Sequence, residues 1–332
     1  MTPDHLMPES EKSQRLSKVH SLIQNKTFSD DKLVYSFVLD LRRNDEIDEY
    51  IDFVKQLIAR DDEYKIFYQL WLVSLLWLRG FCVEAKELFS SLPMSDIPDS
   101  IREFYLKKVG FDDLYSDFTI EETEHFVFRI HPKRLENPED LRHKIERREL
   151  GFDLVAKRLF GLSLERKIQY FLWDEDDLKK YFSNSQTCSC HGIIHEGKVS
   201  GDWHESTHVY NYLHGLKNPK AFILEGVAVL YDGRKSSARL LFANSAYKHL
   251  GIEPDILQWW QDAELFRNTD SWIAYTTAGY FALKIFQKFG KEKFLTLSEY
   301  QTFEDACRIY GEDELRELIT ETENDIKNYV RA

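Results

Sequence analysis

The chain has 332 residues, of which 43% are hydrophobic and 14% aromatic, enough for a sizeable core in one large domain or two ordinary ones. Its 57 acidic and 44 basic residues give a formal charge of −13, and such a surface repels phosphate backbones and anionic lipids, which argues against nucleic acid and membranes as partners. The first 18 residues lack the apolar core of a secretory signal, no run approaches a membrane span, and four cysteines are too few for a disulfide framework, so we expect a cytoplasmic protein.

The first third of the chain is predicted to be helical. Apolar residues recur at helical spacing between residues 33 and 58, and segment 77–93 has a glycine turn followed by Ala85 and Phe89. That segment resembles half of a tetratricopeptide hairpin, although any antiparallel helix pair needs a small residue where the helices approach closely. We therefore predict a helical hairpin domain over residues 1–112, with a protein partner as its possible ligand.

Strand patterns begin after this region. Residues 124–132 alternate apolar and polar side chains, and residues 167–173 and 191–195 are two further predicted strands. Between the first two strands, Asn137 as N-cap and Pro138 at the first helical position predict a helix.

From about residue 203 onward the pattern is helical again. The predicted fold is therefore α+β. Its second domain, residues 113–332, would combine a small mixed or antiparallel sheet with a helical C-terminal lobe.

The stretch GDWHESTHVYNYLH (201–214) contains H-E-x-x-H at His204, Glu205 and His208. Residues four apart project from the same face of a helix, so the two imidazoles can converge on one zinc ion. Glu205 is rotated by about 100° around the axis, which leaves its carboxylate available as a general base toward an attacking water. An ordinary amphipathic helix with two surface histidines could have the same H-E-x-x-H pattern, so the prediction of a metal site requires a third ligand.

His214 is the first candidate for that ligand, since it follows His208 at the spacing H-E-x-x-H-x-x-G-x-x-H. Asn211 occupies the glycine position and tolerates left-handed geometry better than most residues. That class of enzyme also needs a methionine turn downstream of the motif, whereas all three methionines lie upstream, the last being Met94. Next to Gly215, His214 is also a residue that a helix C-terminus favours.

Glu225 is the second candidate. Residues 215–220 are strongly turn-forming and residues 221–233 are predicted to form a second helix, so the short link places the two helices side by side. A carboxylate near the start of this apolar helix is costly to bury alone, whereas a metal ion is a natural partner for it. The simpler interpretation is an exposed helix-start glutamate favoured by the dipole. Because the methionine turn is absent, we expect Glu225 to be the third ligand.

HESTH followed after sixteen residues by EGVA resembles the gluzincin metallopeptidases, the thermolysin-like group, and especially the peptidase MA-like family related to aminopeptidase N. The resemblance extends over about residues 118–325. Residues 274–294 match a tyrosine-bearing helix that ends in a glycine, and residues 302–318 match a helix of the type x-F-E-x-A-x-x-x-x-G. Upstream, residues 124–132 are similar to the strand that opens the same domain.

This resemblance implies one zinc ion with three protein ligands, His204, His208 and Glu225. It also implies that Glu205 is the general base and that Tyr275 donates a hydrogen bond to the oxyanion. A phenol can stabilise developing negative charge without ionising at neutral pH. Tyr280, one and a half turns further along, is the rival for this role.

The chain departs from the family pattern at several positions. Asp202 places a charge just before the motif, where it can cap the helix. Val229, four residues after Glu225, offers no outer-shell carboxylate, which leaves Asp232 as a possible substitute. No G-x-M-E-N segment precedes the motif, so recognition of a free amine is unsupported and endopeptidase action is the better expectation.

A second group of metal-binding residue types lies in TCSCHGIIH (187–195), with Cys188, Cys190, His191 and His195. Their spacing is not that of a zinc site. We interpret the segment as a loop leading into an edge strand beside the active site, which would shape the cleft and could hold an extended peptide.

These patterns together predict a zinc-dependent metallopeptidase acting on peptide or protein substrates. The competing hypothesis is a non-catalytic zinc-binding or helical scaffold protein with a degenerate peptidase site. A third possibility keeps the zinc site but has a non-peptide substrate.

Overall fold

The computed structural model describes residues 51–330, except for short gaps at 53, 60–64, 80, 110–115, 165, 183–185, 189–191, 198–202, 217–218, 234 and 236–237. The described residues belong to two compact units, the first made mainly of residues up to 109 and the second of residues from 116 onward. They are mostly helical with one small sheet, which confirms the mixed α and β composition. The predicted helical faces before residue 51, the predicted domain boundary at residue 112, and Asp202 lie outside the described residues.

The first unit includes the helices α1 (Lys65–Leu78), α2 (Cys82–Ser90) and α3 (Asp99–Val109). The predicted small and aromatic positions of α2 are both buried, and Phe89 stacks on Tyr105 of α3 with ring centroids 5.8 Å apart. Ser74 of α1 donates a hydrogen bond to the Tyr105 hydroxyl at 2.9 Å. Side-chain contacts of this kind join α3 to both preceding helices.

The second unit contains a five-stranded sheet of order β1-β2-β3-β5-β4. Its strands are β1 (Thr119–Glu122), β2 (Phe126–Ile130), β3 (Ile168–Leu172), β4 (Gln186–Cys188) and β5 (Ile193–Glu196). Strands β2, β3 and β5 are parallel, and the two outer strands pair antiparallel with their neighbours.

The predicted alternation in β2 is confirmed, since Phe126, Phe128 and Ile130 are buried and the residues between them are not. The predicted strand at 191–195 corresponds to β5, but its expected position at the edge is wrong. Strand β4 pairs with the open side of β5 and becomes the edge itself, so β5 is an inner strand with all four residues buried. A three-residue strand is too short to show any periodicity in the sequence.

Helix α4 (Pro138–Gly151) follows β2 and begins as predicted, because the Asn137 side chain accepts a hydrogen bond from the Asp140 amide. It continues as a wider π-type turn over Phe152–Lys157. Gly161 then adopts a φ of +69°, a conformation that glycine adopts without steric cost. A short helix, α5 (Glu175–Phe182), follows β3.

The remaining helices form the lobe that carries the predicted site. They are α6 (His204–Gly215), α7 (Ala221–Leu230), α8 (Arg239–Leu250), α9 (Ile256–Gln261), α10 (Ala263–Asn268), α11 (Ser271–Glu299), α12 (Phe303–Tyr310) and α13 (Glu312–Asn328). Helix α11 is interrupted at Gly290, whose φ of +81° is not helical. Of the helices in the described ranges, none is both long and apolar enough to cross a membrane.

One hydrophobic core joins the sheet to this lobe. It combines Phe126, Phe128 and Tyr170 from the sheet with apolar residues of α6, α7 and α11. Phe152 packs edge-on against Tyr210 of α6 at 5.6 Å, and Phe222 of α7 packs against Phe281 of α11 at 5.8 Å. Helices α6 and α7 are therefore held between the sheet and α11, which gives the predicted site a rigid support.

Candidate metal centre

Helix α6 begins directly at His204 and places His204 and His208 one turn apart on the same face. Their Nε2 atoms lie 3.2 Å from each other, with the rings edge to face and their centroids 4.8 Å apart. Both imidazoles are largely buried, at 16% and 7% side-chain exposure. The local helix geometry is enough to bring these two nitrogens together.

Helix α7 adds the third donor atom. Oε2 of Glu225 lies 3.2 Å from Nε2 of His204 and 3.4 Å from Nε2 of His208. In a tetrahedral zinc site with ligands at about 2.0–2.1 Å, neighbouring donor atoms are separated by about 3.3 Å. The three atoms thus have the separations that one face of a zinc coordination tetrahedron requires. In the part of the chain that the structure describes, this is the one group of three such side chains that could hold a metal ion.

The electrostatics of these residues suit a cation. Burial raises the pKa of Glu225, but the neighbouring His208 and His204 side chains lower it by more, so the net pKa is below the usual value. Burial lowers the pKa of His208, and the Glu225 carboxylate raises it above the usual value. The carboxylate is therefore ionised, which is the form that coordinates a metal.

His214 lies elsewhere. Its Nε2 is 3.3 Å from Oε1 of Glu299, and its ring packs against Phe160 at 5.2 Å. Of the two candidates for the third ligand, the structure therefore brings Glu225 to the histidines and places His214 beside Glu299 at the other end of α6.

The alternative metal site of segment 187–195 is described only in part. The indole nitrogen of Trp173 donates a hydrogen bond to Nδ1 of His195 at 3.0 Å, and the His195 ring stacks on Phe171. Cys190 and His191 lie outside the described residues, as does the side chain of Cys188. What the structure describes of this segment is an aromatic cluster around His195.

Asp232, considered above as a substitute for the outer-shell carboxylate that Val229 does not supply, binds an arginine in the structure. The Arg239 guanidinium donates to both of its carboxylate oxygens, at 2.6 and 3.2 Å, and to the carbonyl of Leu230 at 3.2 Å. Both side chains are fully buried, so this ion pair closes the C-terminal end of α7. Nδ1 of His208 is buried with no hydrogen-bond partner in the described part of the chain, where metal-binding histidines usually have one.

Glu205 follows His204 in α6 and is partly buried. Its negative charge raises the pKa of His208 and, from across the site, also that of Tyr275 in α11. The carboxylate is therefore near enough to act electrostatically on both His208 and Tyr275, as a general base at this site would be.

The two candidate tyrosines of α11 have different surroundings in the structure. The Tyr280 hydroxyl donates to Asp325 of α13 at 2.8 Å, so it anchors the C-terminal helix. The ring of Tyr275 is half-buried and stacks on Phe266 at 5.5 Å. Burial, followed by the charges of Glu225 and Glu205, raises the pKa of Tyr275 to about 12. The phenol is therefore a neutral hydrogen-bond donor beside the site at physiological pH.

Two glycines allow α7, which carries Glu225, to approach α11, which carries Tyr275. A Cβ added at Gly226 would lie 2.7 Å from the backbone oxygen of Ala278, and one added at Gly279 would lie 2.3 Å from Cγ1 of Val229. Neither distance is compatible with a side chain, so Gly226 lies directly against the backbone of Ala278 and Gly279 lies directly against the side chain of Val229. The glycine after Glu225 and the uncharged Val229 both belong to this contact.

We expect Gly279→Ala to destabilise the protein by about 1–3 kcal/mol, because the new methyl group overlaps Val229. An unconstrained glycine inside a helix shows the opposite sign, since alanine there is favoured by about 1 kcal/mol. Urea unfolding should show a lower midpoint with an unchanged slope. Adding Val229→Ala should recover part of the loss in a double-mutant cycle. A higher midpoint for Gly279→Ala would show that the helices are not in contact here.

Trp203, directly before the motif, anchors the start of α6, and the sequence patterns did not single it out. Its indole nitrogen donates to the carbonyl of Arg147 in α4 at 2.8 Å, and Thr207 donates to the Trp203 carbonyl at 2.8 Å. A Cβ at Gly151 would lie 2.6 Å from the indole ring, so α4 accepts the tryptophan only because this residue is glycine. The start of α6, and with it His204, is thereby fixed against α4.

Helix α4 is itself tied to the sheet by Arg148. The buried guanidinium donates to Glu196 at 2.8 Å and to the Tyr170 hydroxyl at 2.8 Å, and that hydroxyl in turn donates to Glu196. Burial raises the pKa of Tyr170 well above its usual value, so the phenol stays neutral between the two charges. Glu196 and Tyr170 lie on β5 and β3, so the position of α6 depends on the sheet.

No protein-family model, curated protein or solved structure matches this chain.

Proposed function

We propose that this protein is a zinc-dependent metallohydrolase, a gluzincin-like peptidase with endopeptidase action. The observation that carries the proposal is the arrangement of His204, His208 and Glu225, whose donor atoms lie 3.2–3.4 Å apart as zinc requires. When bound there, a zinc ion supplies Lewis acidity that polarises a carbonyl and acidifies water.

The chain's own residues account for the remaining steps. Glu205 accepts the proton of the attacking water and delivers it to the leaving amine. Tyr275, kept neutral by its raised pKa of about 12, donates a hydrogen bond to the oxygen on which negative charge develops. The anchoring of α6 by Trp203 and the contact between α7 and α11 position the helices that carry these groups.

The edge strand β4 favours a peptide substrate over a small molecule. It lies beside α6, and its outer side has no neighbouring strand among the described residues. An extended peptide can add to such an edge through backbone hydrogen bonds. This supports peptide hydrolysis rather than another zinc-dependent hydrolysis at the same site.

The test measures zinc per chain in protein purified without chelators and cleavage of a mixed peptide library with internal cut sites read by mass spectrometry. We expect one zinc per chain, and cleavage that is abolished by a chelator and restored by zinc. Protein without zinc that also fails to take it up would refute the site. Stoichiometric zinc with no cleavage of any peptide would instead support the scaffold hypothesis.

We expect Tyr275→Phe to lower kcat by about 10²–10³-fold while leaving KM nearly unchanged, because the phenol acts on the transition state. Tyr280→Phe is the matched control: it removes a hydroxyl from the same helix that is bonded to Asp325. That variant should lose about 1 kcal/mol of stability and keep its kcat. Equal kcat values for the two variants would remove Tyr275 from the proposed mechanism.

A further inference from the structure

Asn211 is a polar residue in the buried part of α6. Its side chain is 1% exposed, and neither the oxygen nor the nitrogen of its amide has a hydrogen-bond partner in the described part of the chain. The neighbouring residues Val209, Tyr210 and Tyr212 are buried as well. A buried amide without partners is destabilising, whereas an apolar residue of the same size carries no such penalty. The presence of asparagine here therefore calls for a polar group that it serves.

Nδ1 of His208 is a second buried polar atom of α6 without a partner in the described residues. Nε2 of the same ring faces Nε2 of His204 at 3.2 Å and Oε2 of Glu225 at 3.4 Å, so Nδ1 is the nitrogen directed away from the three donor atoms. A metal ion at Nε2 fixes the remaining proton of the ring on Nδ1 and makes that atom a donor. Histidines that bind a metal usually give this proton to an acceptor, which keeps the ring in its orientation.

The geometry of α6 places Asn211 next to this ring. Asn211 follows His208 by three residues and Thr207 by four, and α6 is helical from His204 to Gly215. Residues at these spacings are neighbours on the helix surface, with Cβ atoms about 5–6 Å apart. Because side chains lean toward the start of a helix, the Asn211 amide covers the turn that carries Thr207 and His208. Both residues are therefore within its reach.

The two ends of the amide are complementary to these two neighbours. The Thr207 hydroxyl donates its proton to the Trp203 carbonyl at 2.8 Å, so toward Asn211 it can only accept. An amide nitrogen donates and an amide oxygen accepts. With its nitrogen toward Thr207, Asn211 presents its oxygen to Nδ1 of His208.

Helix α7 does not supply this acceptor at either position considered for it. Val229 is apolar and lies against Gly279. The carboxylate of Asp232 is fully buried in its ion pair with Arg239. An acceptor for His208 is therefore to be sought on α6 itself.

We propose that Asn211 is the positioning residue for His208. Its amide oxygen accepts the Nδ1 proton, and its amide nitrogen donates to the Thr207 hydroxyl, so the imidazole keeps the orientation that zinc binding requires. The bond to Nδ1 forms together with zinc binding, because the metal is what fixes the proton on that nitrogen. This inference rests on the metal site of the proposed function and is independent of the substrate.

The experiment compares the wild type with Asn211→Leu, which keeps the volume but removes both polar atoms, and with Asn211→Asp, which keeps an acceptor oxygen. Tyr210→Phe is the matched control. It removes a buried hydroxyl from the same helix, about 200° around the axis from His208, on the side that packs against Phe152. Two quantities are measured for each protein: the zinc dissociation constant, by competition with a chromophoric chelator, and the urea unfolding midpoint of the zinc-free form.

We expect Asn211→Leu to weaken zinc binding by about 10–100-fold, as loss of an outer-shell partner does. Asn211→Asp should bind zinc at least as tightly as the wild type, and Tyr210→Phe should bind it equally well. The zinc-free Asn211→Leu protein should unfold at a midpoint no lower than that of the wild type, because the substitution removes an amide that is unbonded without the metal. A residue that served only packing would give the reverse, a lower midpoint with unchanged zinc affinity.

A direct readout is the NMR spectrum of zinc-loaded protein labelled with ¹⁵N-histidine. The wild type should show an imidazole Nδ1 proton that is protected from exchange with water, and this protection should be lost in Asn211→Leu and kept in Tyr210→Phe.

Equal zinc affinities of the wild type and Asn211→Leu, or an Asn211→Asp protein as weak as Asn211→Leu, would overturn the inference and leave the proposed metal site intact. A wild-type protein that binds no zinc would refute the proposed site and this inference with it.

Discussion

Glu225→Ala should lose zinc, whereas His214→Ala should keep it. Oε2 of Glu225 lies 3.2 and 3.4 Å from the two histidine nitrogens, while His214 pairs with Glu299 at 3.3 Å. Removing a ligand should weaken zinc binding by more than the roughly 10–100-fold that loss of an outer-shell partner costs. The measurement is zinc per chain after dialysis, together with competition against a chromophoric chelator.

His214→Ala is the matched control, since it removes a residue of the same helix from a similarly polar environment. Glu225→Gln tests the charge separately from the shape, because it keeps the side-chain volume but is a weaker ligand. Unfolding curves of the zinc-free proteins show whether a variant has lost its fold rather than its metal. If His214→Ala lost the zinc and Glu225→Ala retained it, the third ligand would be wrongly assigned.

The second large effect is expected for Glu205→Gln. This variant should keep its zinc, but its kcat should be about 10²–10⁴-fold lower than that of the wild type. Glutamine has nearly the same shape as glutamate but cannot accept a proton at neutral pH. The residue contributes no donor atom to the group of three, so the metal should remain. Zinc content and cleavage of the peptide library, measured on one preparation, test both parts.

Glu299→Gln is the control for removal of a negative charge from the same lobe. It removes the negative charge beside His214 but leaves the proposed site intact, so kcat/KM should be unchanged. Full activity of Glu205→Gln would eliminate the general-base mechanism. Loss of zinc from that variant would mean that Glu205 is itself a ligand.

Much of the fold that supports the site follows from local patterns. The alternation of Phe126, Phe128 and Ile130 predicted β2, and Asn137 with Pro138 predicted the start of α4. Strand β1 was missed because all four of its residues are exposed and show no apolar alternation. Strand β4 was missed because it has only three residues, so its partner β5 was expected at the edge. Short and solvated strands depend on their neighbours rather than on their own composition.

The spacing of His204, Glu205 and His208 was readable from the sequence because helical geometry is local: residues four apart share a face wherever the helix lies. By itself the sequence also narrowed the candidates for a third ligand to two residues, and the resemblance to the gluzincin peptidases narrowed the candidates for an oxyanion donor to two tyrosines. It could not decide how the helices pack, because that depends on contacts between residues far apart in the chain.

Only the tertiary structure shows that Glu225 lies next to the histidines. It also shows that Tyr280 donates a hydrogen bond to Asp325 and that Arg239 binds Asp232. The close approach of Gly279 to Val229 is what lets α11 lie against α7, and it has no signature at the level of spacing. Two helices can approach this closely only where both surfaces leave room, and that condition is a property of the packed helices, not of either segment alone.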